Sequence, residues 1–377
     1  MKCKNFKKMY ALLSLAIVLL SLKSSIWCNT QSMHASWTVV GAGPTGILAV
    51  GIILDSGIPA DKIVWIDPEF KAGRMGKCYQ NVPGNGKVSQ YIEFLNTCNV
   101  FGQVKSEAID RLFNLPLEQT PKLKYLVDPL CDITNFVRTK VTALEDEIVA
   151  LDFHDDQWHI KTNQVSFHSD NVVLATGAHP RMANYQGVEQ IPLDVALDKD
   201  TLAACIGSED TVAVVGDGHS ALLIVKYLTE LSPAFIVNFY KKPIVYPVPM
   251  KRGIAWQERG LKGDLAGWAK TVLEVNPPKN LLRLESSSES MQSWLPQCTK
   301  IIYAIGFERN DLPPINGDVQ VYEKYDHATG VIGPRLFGVG IAFPVEQIDP
   351  LDNVEKLIGL PYLRFQALYD ALGRNNE

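Results

Sequence analysis

A short glycine-rich stretch, TVVGAGPTG, places Gly41, Gly43 and Gly46 in a GxGxxG spacing between an apolar run and an apolar segment of helical character. The spacing predicts a strand, a tight turn and the start of a helix. Glycine lets such a turn close, lets a ligand approach the backbone and lets the helix pack closely against the strand. The freed N–H groups and the helix dipole then face an anion such as a pyrophosphate.

An acidic residue follows at the spacing that a nucleotide ribose requires. The stretch KIVWIDPE has the composition of a second buried strand, and Asp67 at its end lies twenty-one residues after Gly46. A carboxylate at this place accepts hydrogen bonds from ribose hydroxyls. Strand, glycine turn, helix, strand and acid together predict a dinucleotide-binding unit.

A second stretch, TVAVVGDGHSA, repeats the pattern with Gly216, Gly218 and Ala221, and the strand after it ends in Lys241 and Lys242 instead of an acid. Basic residues there favour a 2'-phosphate, so we expect NADP to be preferred, with NAD still possible. The alternative interpretation is a solvated lysine pair at a strand end. Two such units in one chain predict two dinucleotides held face to face, with FAD in the first site and NAD(P)H in the second.

Composition excludes several classes of protein. The chain has 377 residues, enough for two domains, and a net charge of -5 with no basic run in its body, so nucleic acid is not an expected partner. The seven cysteines are scattered without a CxxC pair, which leaves neither a zinc ribbon nor a thioredoxin-like dithiol. The GxSxG, HExxH and GxxxxGK[ST] motifs are absent, and no metal site is expected.

Further segments resemble a known superfamily. DNVVLATGAHPR (170–181), which contains Thr176 and Gly177, and CTKIIYAIGFERN (298–310) look like the points where a chain passes between an FAD domain and an inserted NAD(P) domain. VIGPRLFGVGIAFP (331–344) looks like the last strand of the FAD domain, with a helix over VEKLIGLPYLRFQALYDAL after it. Together these segments resemble the flavoproteins with two dinucleotide-binding domains, the pyridine nucleotide-disulfide reductases and the flavin-containing monooxygenases.

The resemblance implies an α/β fold with a nested domain order. A Rossmann-like FAD-binding domain would comprise residues 36–206 and 307–377, and a Rossmann-like NAD(P)-binding domain would be inserted at 207–306.

The composition of residues 1–32 predicts a signal peptide or a membrane anchor. Their apolar core, residues 9–22, is fourteen residues long and as a helix spans roughly 21 Å, short of the roughly 30 Å hydrocarbon layer.

The location of the protein follows from how that N-terminal segment is interpreted. A true signal implies export or anchoring in the inner membrane, with possible membrane association through residues 9–22. Its cleavage motif is weak, and Met33 just before the first predicted strand is an alternative start, which would imply a cytoplasmic protein.

Departures from the disulfide reductases narrow the resemblance. Only Cys78 stands where those reductases carry a cysteine pair, Pro83 occupies the position of the partner, and Gly340 is followed by Ile341 instead of an acid. The stretch YQNVPGNGKVSQYIEFL resembles the flavin-lining segment of the monooxygenases, with Asn85 in a matching place. The FxGxxxHxxxWP fingerprint of those monooxygenases is absent, so the resemblance does not imply oxygen insertion. The single-cysteine bacillithiol-disulfide reductases also remain similar.

We therefore expect an FAD-dependent oxidoreductase that takes hydride from NAD(P)H and passes electrons to a small-molecule acceptor. The alternatives are a flavin-dependent N- or S-monooxygenase, a single-cysteine disulfide reductase and a flavin-binding protein without turnover. No catalytic acid or base is assigned, because hydride transfer needs alignment more than side-chain chemistry. The expected FAD-binding residues are Gly41, Gly43, Pro44, Gly46, Asp67, Asn85, Val141, Thr176, Gly177 and Gly340, and the expected NAD(P)-binding residues are Gly216, Gly218, Ser220, Ala221, Lys241 and Lys242.

Five other residues have a structural interpretation beside the functional one. Cys78 is expected to be a packed thiol, although a mixed disulfide near the flavin is conceivable for it. His219 on the second turn could contact a phosphate or the nicotinamide, or simply begin a helix. His179 could lie at a hinge near the flavin, and Trp65 and Tyr79 could flank a ring of a cofactor or belong to the core.

Overall fold

The computed structural model describes residues 33–358 and 365–373. The strands, in chain order, are β1 (His34–Val40), β2 (Ile63–Ile66), β3 (Thr142–Leu144), β4 (Ile148–His154), β5 (Gln157–Thr162), β6 (Ser166–Leu174), β7 (Ala178–Pro180), β8 (Glu189–Gln190), β9 (Thr211–Val215), β10 (Phe235–Tyr240), β11 (Val248–Met250), β12 (Gly253–Ala255), β13 (Leu281–Glu285), β14 (Lys300–Tyr303), β15 (Phe307–Arg309), β16 (Val331–Gly333), β17 (Leu336–Gly338), β18 (Val345–Ile348) and β19 (Val354–Leu357).

The α-helices, in chain order, are α1 (Pro44–Asp55), α2 (Gly73–Cys78), α3 (Val88–Leu95), α4 (Glu107–Phe113), α5 (Lys124–Arg138), α6 (Leu193–Ala196), α7 (Lys199–Ala203), α8 (His219–Leu231), α9 (Gly263–Trp268), α10 (Ser288–Trp294) and α11 (Gln366–Ala371). In the described ranges, no helix is both long enough and apolar enough to cross a membrane. The predicted signal or anchor, including residues 9–22, lies outside the described residues.

The first sheet has the strand order β16-β17-β6-β1-β2-β3. β1 runs parallel to β2 and β6, and β17 runs parallel to β6. One face is covered by helices, with Val39, Ile52 and Leu130 in a common core. The other face is covered by the antiparallel hairpin β4-β5, whose β5 pairs with β6, and this hairpin buries Leu151 and Trp158 against the parallel strands.

The second sheet has the order β13-β10-β9-β14-β8, and every pairing in it is parallel. α8 packs on one face, where Val214 and Leu222 belong to one buried cluster. Val215 and Phe239 belong to a second buried cluster. A mixed sheet with a parallel centre and an all-parallel sheet, each covered on both faces, confirm the predicted α/β class.

The two chain segments that connect the sheets lie side by side. β7 follows β6 in the first sheet, β15 follows β14 in the second, and the two short strands pair in antiparallel fashion. His179 on β7 has Nδ1 3.0 Å from Asn310 Oδ1 and Nε2 3.2 Å from Glu308 Oε1. The side chain of His179 therefore joins the two connections to each other, and its role at a hinge stays a prediction.

The second sheet begins earlier in the chain than expected. β8 pairs with β14, and Ile191, Leu193 and Leu202 are buried in the cluster beneath α8. This stretch lies upstream of residue 207, the predicted start of the second domain. Little in the sequence indicates it, because a two-residue edge strand and two short helices carry no clear periodicity.

The C-terminal segment differs from the prediction at two places. Residues 331 to 344 hold an antiparallel pair, β16 and β17, instead of one strand, and β17 takes the expected place beside β6. The predicted helix from residue 354 is wrong in its first part, because β19 pairs with β18 in a hairpin. The Asp349 carboxylate holds the hairpin turn by accepting the N–H groups of Leu351 and Asn353. The helix begins only at Gln366.

Candidate functional site

The first glycine turn is closed by backbone contacts. Gly41 donates its N–H to Ile66 O at 2.7 Å and has φ +102°, a conformation that favours glycine. A Cβ on Gly41 would lie 2.3 Å from Ala175 O, and a Cβ on Gly46 would lie 1.9 Å from Gly41 O. The buried Trp65 supports the turn by donating Nε1–H to Gly41 O at 2.9 Å, which is a structural role.

Gly43 is less confined than Gly41 on the same turn. The nearest atom to a Cβ on Gly43 would be Gly73 Cα at 4.0 Å, which is ordinary contact. Gly43 is the N-cap of α1, no side chain caps this end, and Pro44 occupies the first turn. The N–H groups at the start of α1 are therefore not capped by a side chain, and the binding of a pyrophosphate requires such uncapped groups.

Asp67 lies directly beside this turn at the carboxyl end of β2. Its Oδ2 accepts Ala42 N–H at 2.7 Å, and its Oδ1 accepts the N–H groups of Glu69 and Phe70 at 2.8 and 2.6 Å. Val141 is buried just before β3, the neighbour of β2. The predicted ribose acid thus also holds the turn and the following loop in place.

Two further predicted residues border the first turn. Thr176 follows β6, and its Oγ1 is buried without a hydrogen-bond partner among the described residues. Gly340 follows β17, and a Cβ there would lie 2.6 Å from Thr45 Oγ1 on the first turn of α1. The unpaired hydroxyl of Thr176, close to the uncapped start of α1, fits a cofactor contact.

Asn85 is exposed, and the structure shows no hydrogen bond from its side chain to the described part of the chain.

The second glycine turn repeats the geometry of the first. Gly216 donates its N–H to Phe239 O at 2.8 Å, and a Cβ on Gly216 would lie 2.3 Å from Ala304 O. Gly218 is the N-cap of α8, and a Cβ there would meet no atom within 4 Å. Ser220 is the second residue of α8, and Ala221 is fully buried against the turn. In both turns the first glycine leaves no room for a side chain, whereas a Cβ on the second glycine would meet no clash.

An acid that was not predicted from the sequence lies against the end of β10. Asp217 Oδ2 accepts the backbone N–H groups of Lys241 and Lys242 at 3.0 and 2.8 Å. The side chains of both lysines are exposed. The carboxyl end of β10 thus carries the ammonium groups of two lysines and one carboxylate, and that carboxylate comes from the second glycine turn itself.

Two arginines near the second turn were not predicted either. Arg259 lines a small cleft with Asp217, Gly218 and His219, and its Nη2 donates a hydrogen bond to Pro243 O at 3.2 Å. Arg283 donates Nε–H to Asn238 Oδ1 at 2.9 Å, while its Nη2 is buried without a hydrogen-bond partner among the described residues. Neither arginine belongs to a motif, so only the fold brings them near the turn.

His219 begins α8 and is held neutral by its surroundings. Burial lowers the pKa of its imidazole to about 4, and the charge of Lys262 acts in the same direction. Nδ1 of His219 is buried without a partner among the described residues. At neutral pH the imidazole therefore carries no charge, and one of its nitrogens can donate a hydrogen bond while the other accepts one.

This neutral histidine predicts a loss of stability in acid. An unfolded histidine takes a proton near pH 6.5 and the folded one only near pH 4, so unfolding is favoured increasingly as the pH falls between these values. The loss attributable to His219 reaches about 3 kcal/mol at pH 4. We expect His219→Gln to lose that much less stability than the unmodified protein between pH 7 and pH 4. Urea unfolding of both proteins checks this, and equal losses would contradict it.

Cys78 lies in a setting that disfavours the thiolate. Burial raises the pKa of its thiol, and the carboxylate of Asp194 adds to the effect. Asp194 accepts hydrogen bonds from Arg74 and from Tyr79 OH, so Tyr79 belongs to a polar contact between α2 and α6. No disulfide links the cysteines within the described residues. A raised pKa is the opposite of what an attacking cysteine needs.

We expect Cys78→Ser to leave electron transfer from NADPH to the flavin intact. Anaerobic rapid mixing reports the bleaching of the flavin absorbance directly. A variant that bleaches more than about a hundredfold slower, roughly 2.7 kcal/mol in barrier, would place Cys78 in the hydride-transfer step. Normal bleaching with loss of turnover on a small disulfide would place Cys78 after the flavin.

Comparison with known proteins finds the same architecture. No family model matches the chain. The monooxygenase AgnR1 of Paecilomyces divaricatus is 29% identical over 365 residues, which cover 85% of this chain and 93% of that protein. A flavin-containing monooxygenase from Stenotrophomonas maltophilia has a TM-score of 0.57 at 13% identity and covers 90% of this chain and 97% of its own. The bacillithiol disulfide reductase of Staphylococcus aureus has a TM-score of 0.52 at 10% identity and covers 90% of this chain and 99% of its own.

Relatives of both chemistries thus share one fold with this chain. The predicted resemblance to the flavoproteins with two dinucleotide-binding domains is confirmed. The predicted enzyme class is confirmed at this level. In the described ranges, no group of three or more histidine, cysteine or acidic side chains could hold a metal ion.

Proposed function

We propose that this oxidoreductase binds FAD at the first glycine turn and NADPH at the second, and passes electrons to a small-molecule acceptor. The observation that carries the proposal is the repeated pattern of the two turns. A Cβ on Gly41 or on Gly216 would lie 2.3 Å from a carbonyl oxygen, whereas a Cβ on Gly43 would have its nearest neighbour at 4.0 Å and a Cβ on Gly218 none within 4 Å. In each turn the second glycine is thus free of clashes and stands beside uncapped helix N–H groups, which supports an anion site.

The side chains would then position the nucleotides. When bound, the two cofactors supply the hydride and electron chemistry themselves. On the first unit, the amides at the start of α1 would hold the pyrophosphate, with Thr176 Oγ1 as a further donor. On the second unit, Arg259 beside the turn supports a phosphate group, and Lys241 and Lys242 support a 2'-phosphate.

We propose also that the nucleotide-binding unit of the second sheet begins before β8 and ends with β14. The pairing of β8 with β14 and the burial of Ile191, Leu193 and Leu202 beneath α8 support this boundary. The paired strands β7 and β15 would then form the hinge between the two units.

Oxygen insertion is the second candidate function. It is favoured by AgnR1, a monooxygenase that shares 93% of its length with this chain. Reduction of a disulfide is favoured less, because burial and Asp194 raise the pKa of the Cys78 thiol. The acceptor chemistry therefore separates into two outcomes, uptake of oxygen into an organic substrate or plain electron transfer.

The test is purification followed by anaerobic reduction. We expect the protein to hold FAD and not FMN, as judged by chromatography of the released flavin. We expect NADPH to bleach that flavin without any acceptor present. A colourless protein that takes up no added FAD, or one that contains FMN alone, would contradict the proposal. Oxygen consumed with release of hydrogen peroxide indicates plain electron transfer, whereas oxygen recovered in an added amine or sulfide indicates a monooxygenase.

A further inference from the structure

A cavity of about 150 Å³ lies between α8, the start of α9 and a loop of the first unit. One face of α8 contributes His219 and Lys226, spaced seven residues apart, and Lys262 projects from the residue before α9. Gly84 and Thr120 close the cavity from the first unit. Cavities of roughly this volume hold a molecule the size of benzene.

Lys262 is the lysine of this cavity that makes no direct ion pair with the described residues. It forms no ion pair with them, whereas Lys226 is paired with Glu230 on the same helix. Burial lowers the pKa of the Lys262 ammonium, and the carboxylates of Glu258 and Glu355 act against that effect. Because those carboxylates act without direct contact, the partly buried ammonium still has room for a ligand that forms a direct charge-assisted hydrogen bond.

His219 adds an unsatisfied hydrogen-bonding group to the same cavity. Its Nδ1 is buried and has no partner among the described residues. Lys262 is close enough for its charge to influence the imidazole. Since buried polar groups are normally hydrogen-bonded, the pair of groups indicates a place for a ligand. Asp264, which also lines the cavity and is exposed, opposes a second negative charge on that ligand.

We propose that this cavity binds the electron acceptor, and that the acceptor is a small organic molecule with a single carboxylate group. The carboxylate would accept a charge-assisted hydrogen bond from Lys262 and a hydrogen bond from His219. The inference rests on the proposed function, because an acceptor presupposes a reducible flavin. The place suits that role, since Gly84 precedes Asn85 of the segment that resembles the flavin-lining stretch and His219 follows Gly218 of the second turn.

Calorimetric titration of the FAD-loaded protein with benzoate tests the proposal, with neutral benzamide as the matched probe. We expect benzoate to bind at least tenfold more tightly than benzamide. Lys262→Met should weaken benzoate binding about ten- to a hundredfold, because one charge-assisted bond is lost. Lys226→Met is the matched control, and benzoate binding should change less than about threefold because that ammonium is already paired with Glu230.

A second variant keeps the test decisive if Lys262→Met does not fold. Leu223→Phe adds bulk to the wall of the cavity and retains Lys262, and we expect it to lose benzoate binding as well. Benzoate that binds both variants as it binds the unmodified protein would overturn the proposal. If NADP displaces benzoate equally from both variants, benzoate binds at the second glycine turn and not in this cavity. If the unmodified protein is reduced by NADPH but binds no benzoate, only this inference fails; if it holds no FAD, the proposed function fails.

Discussion

Gly43→Ala is expected to give a folded protein that does not hold FAD. The new methyl group would have no protein atom closer than 4.0 Å, and Gly43 has φ -73°, so the chain accepts alanine there. The methyl group would nevertheless occupy the space through which a pyrophosphate reaches the amides of α1. Losing two charge-assisted hydrogen bonds corresponds to roughly a hundredfold or more in affinity. Titration of the flavin-free protein with FAD, followed by fluorescence, measures the loss.

Two other glycines provide matched controls. Gly218→Ala makes the same change on the second turn, where no atom lies within 4 Å. That variant should retain FAD and need a higher concentration of NADPH for reduction. Gly41→Ala forces a Cβ to within 2.3 Å of Ala175 O at φ +102°, so it should destabilise the fold itself.

The three variants separate the possible errors. Normal FAD binding by Gly43→Ala would mean that the first turn does not hold the pyrophosphate. A Gly218→Ala protein that loses FAD while Gly43→Ala retains it would show that the two cofactors had been assigned to the wrong turns.

Replacing Lys241 and Lys242 together by alanine should raise the KM for NADPH about ten- to a hundredfold and leave that for NADH nearly unchanged. The reason is that only NADPH carries the 2'-phosphate that these cations would bind. The structure refines this prediction, because Asp217 accepts the backbone N–H groups of both lysines and brings a negative charge to the same place. Asp217→Asn should therefore shift the preference further toward NADPH.

Lys279→Ala is the matched control for the lysine pair. Lys279 is also exposed, but it precedes β13 and so lies at the amino end of the parallel sheet, away from the nucleotide. Its removal should change neither KM. Steady-state rates with both nucleotides decide the matter, and equal use of NADH and NADPH by the unmodified protein would contradict the assigned role of the pair.

Local residue chemistry was enough to predict both glycine turns, the strands before them and the α/β class. A tight turn between a strand and a helix needs glycine at fixed positions, because the backbone passes too close for a side chain. The close backbone contacts at Gly41, Gly46 and Gly216 could therefore be predicted from the glycine spacing. The strands leading into the turns are buried on both faces and therefore appear in the sequence as continuous apolar runs. The two connections between the sheets also fall in the segments that the sequence marks as crossing points, 170–181 and 298–310, because each follows such a run directly.

Tertiary structure alone decided the features that depend on distant partners. β8 is too short to show a pattern and exists because β14 offers an edge. β19 was predicted as helix, yet it is a strand because β18 pairs with it. The contact of Asp217 with the end of β10, the placement of Arg259 beside the turn and the cavity around Lys262 all join residues that are separated along the chain. Local conformation follows from backbone sterics and burial patterns that the sequence carries, whereas charge environments depend on which segments the fold brings within a few ångströms of each other.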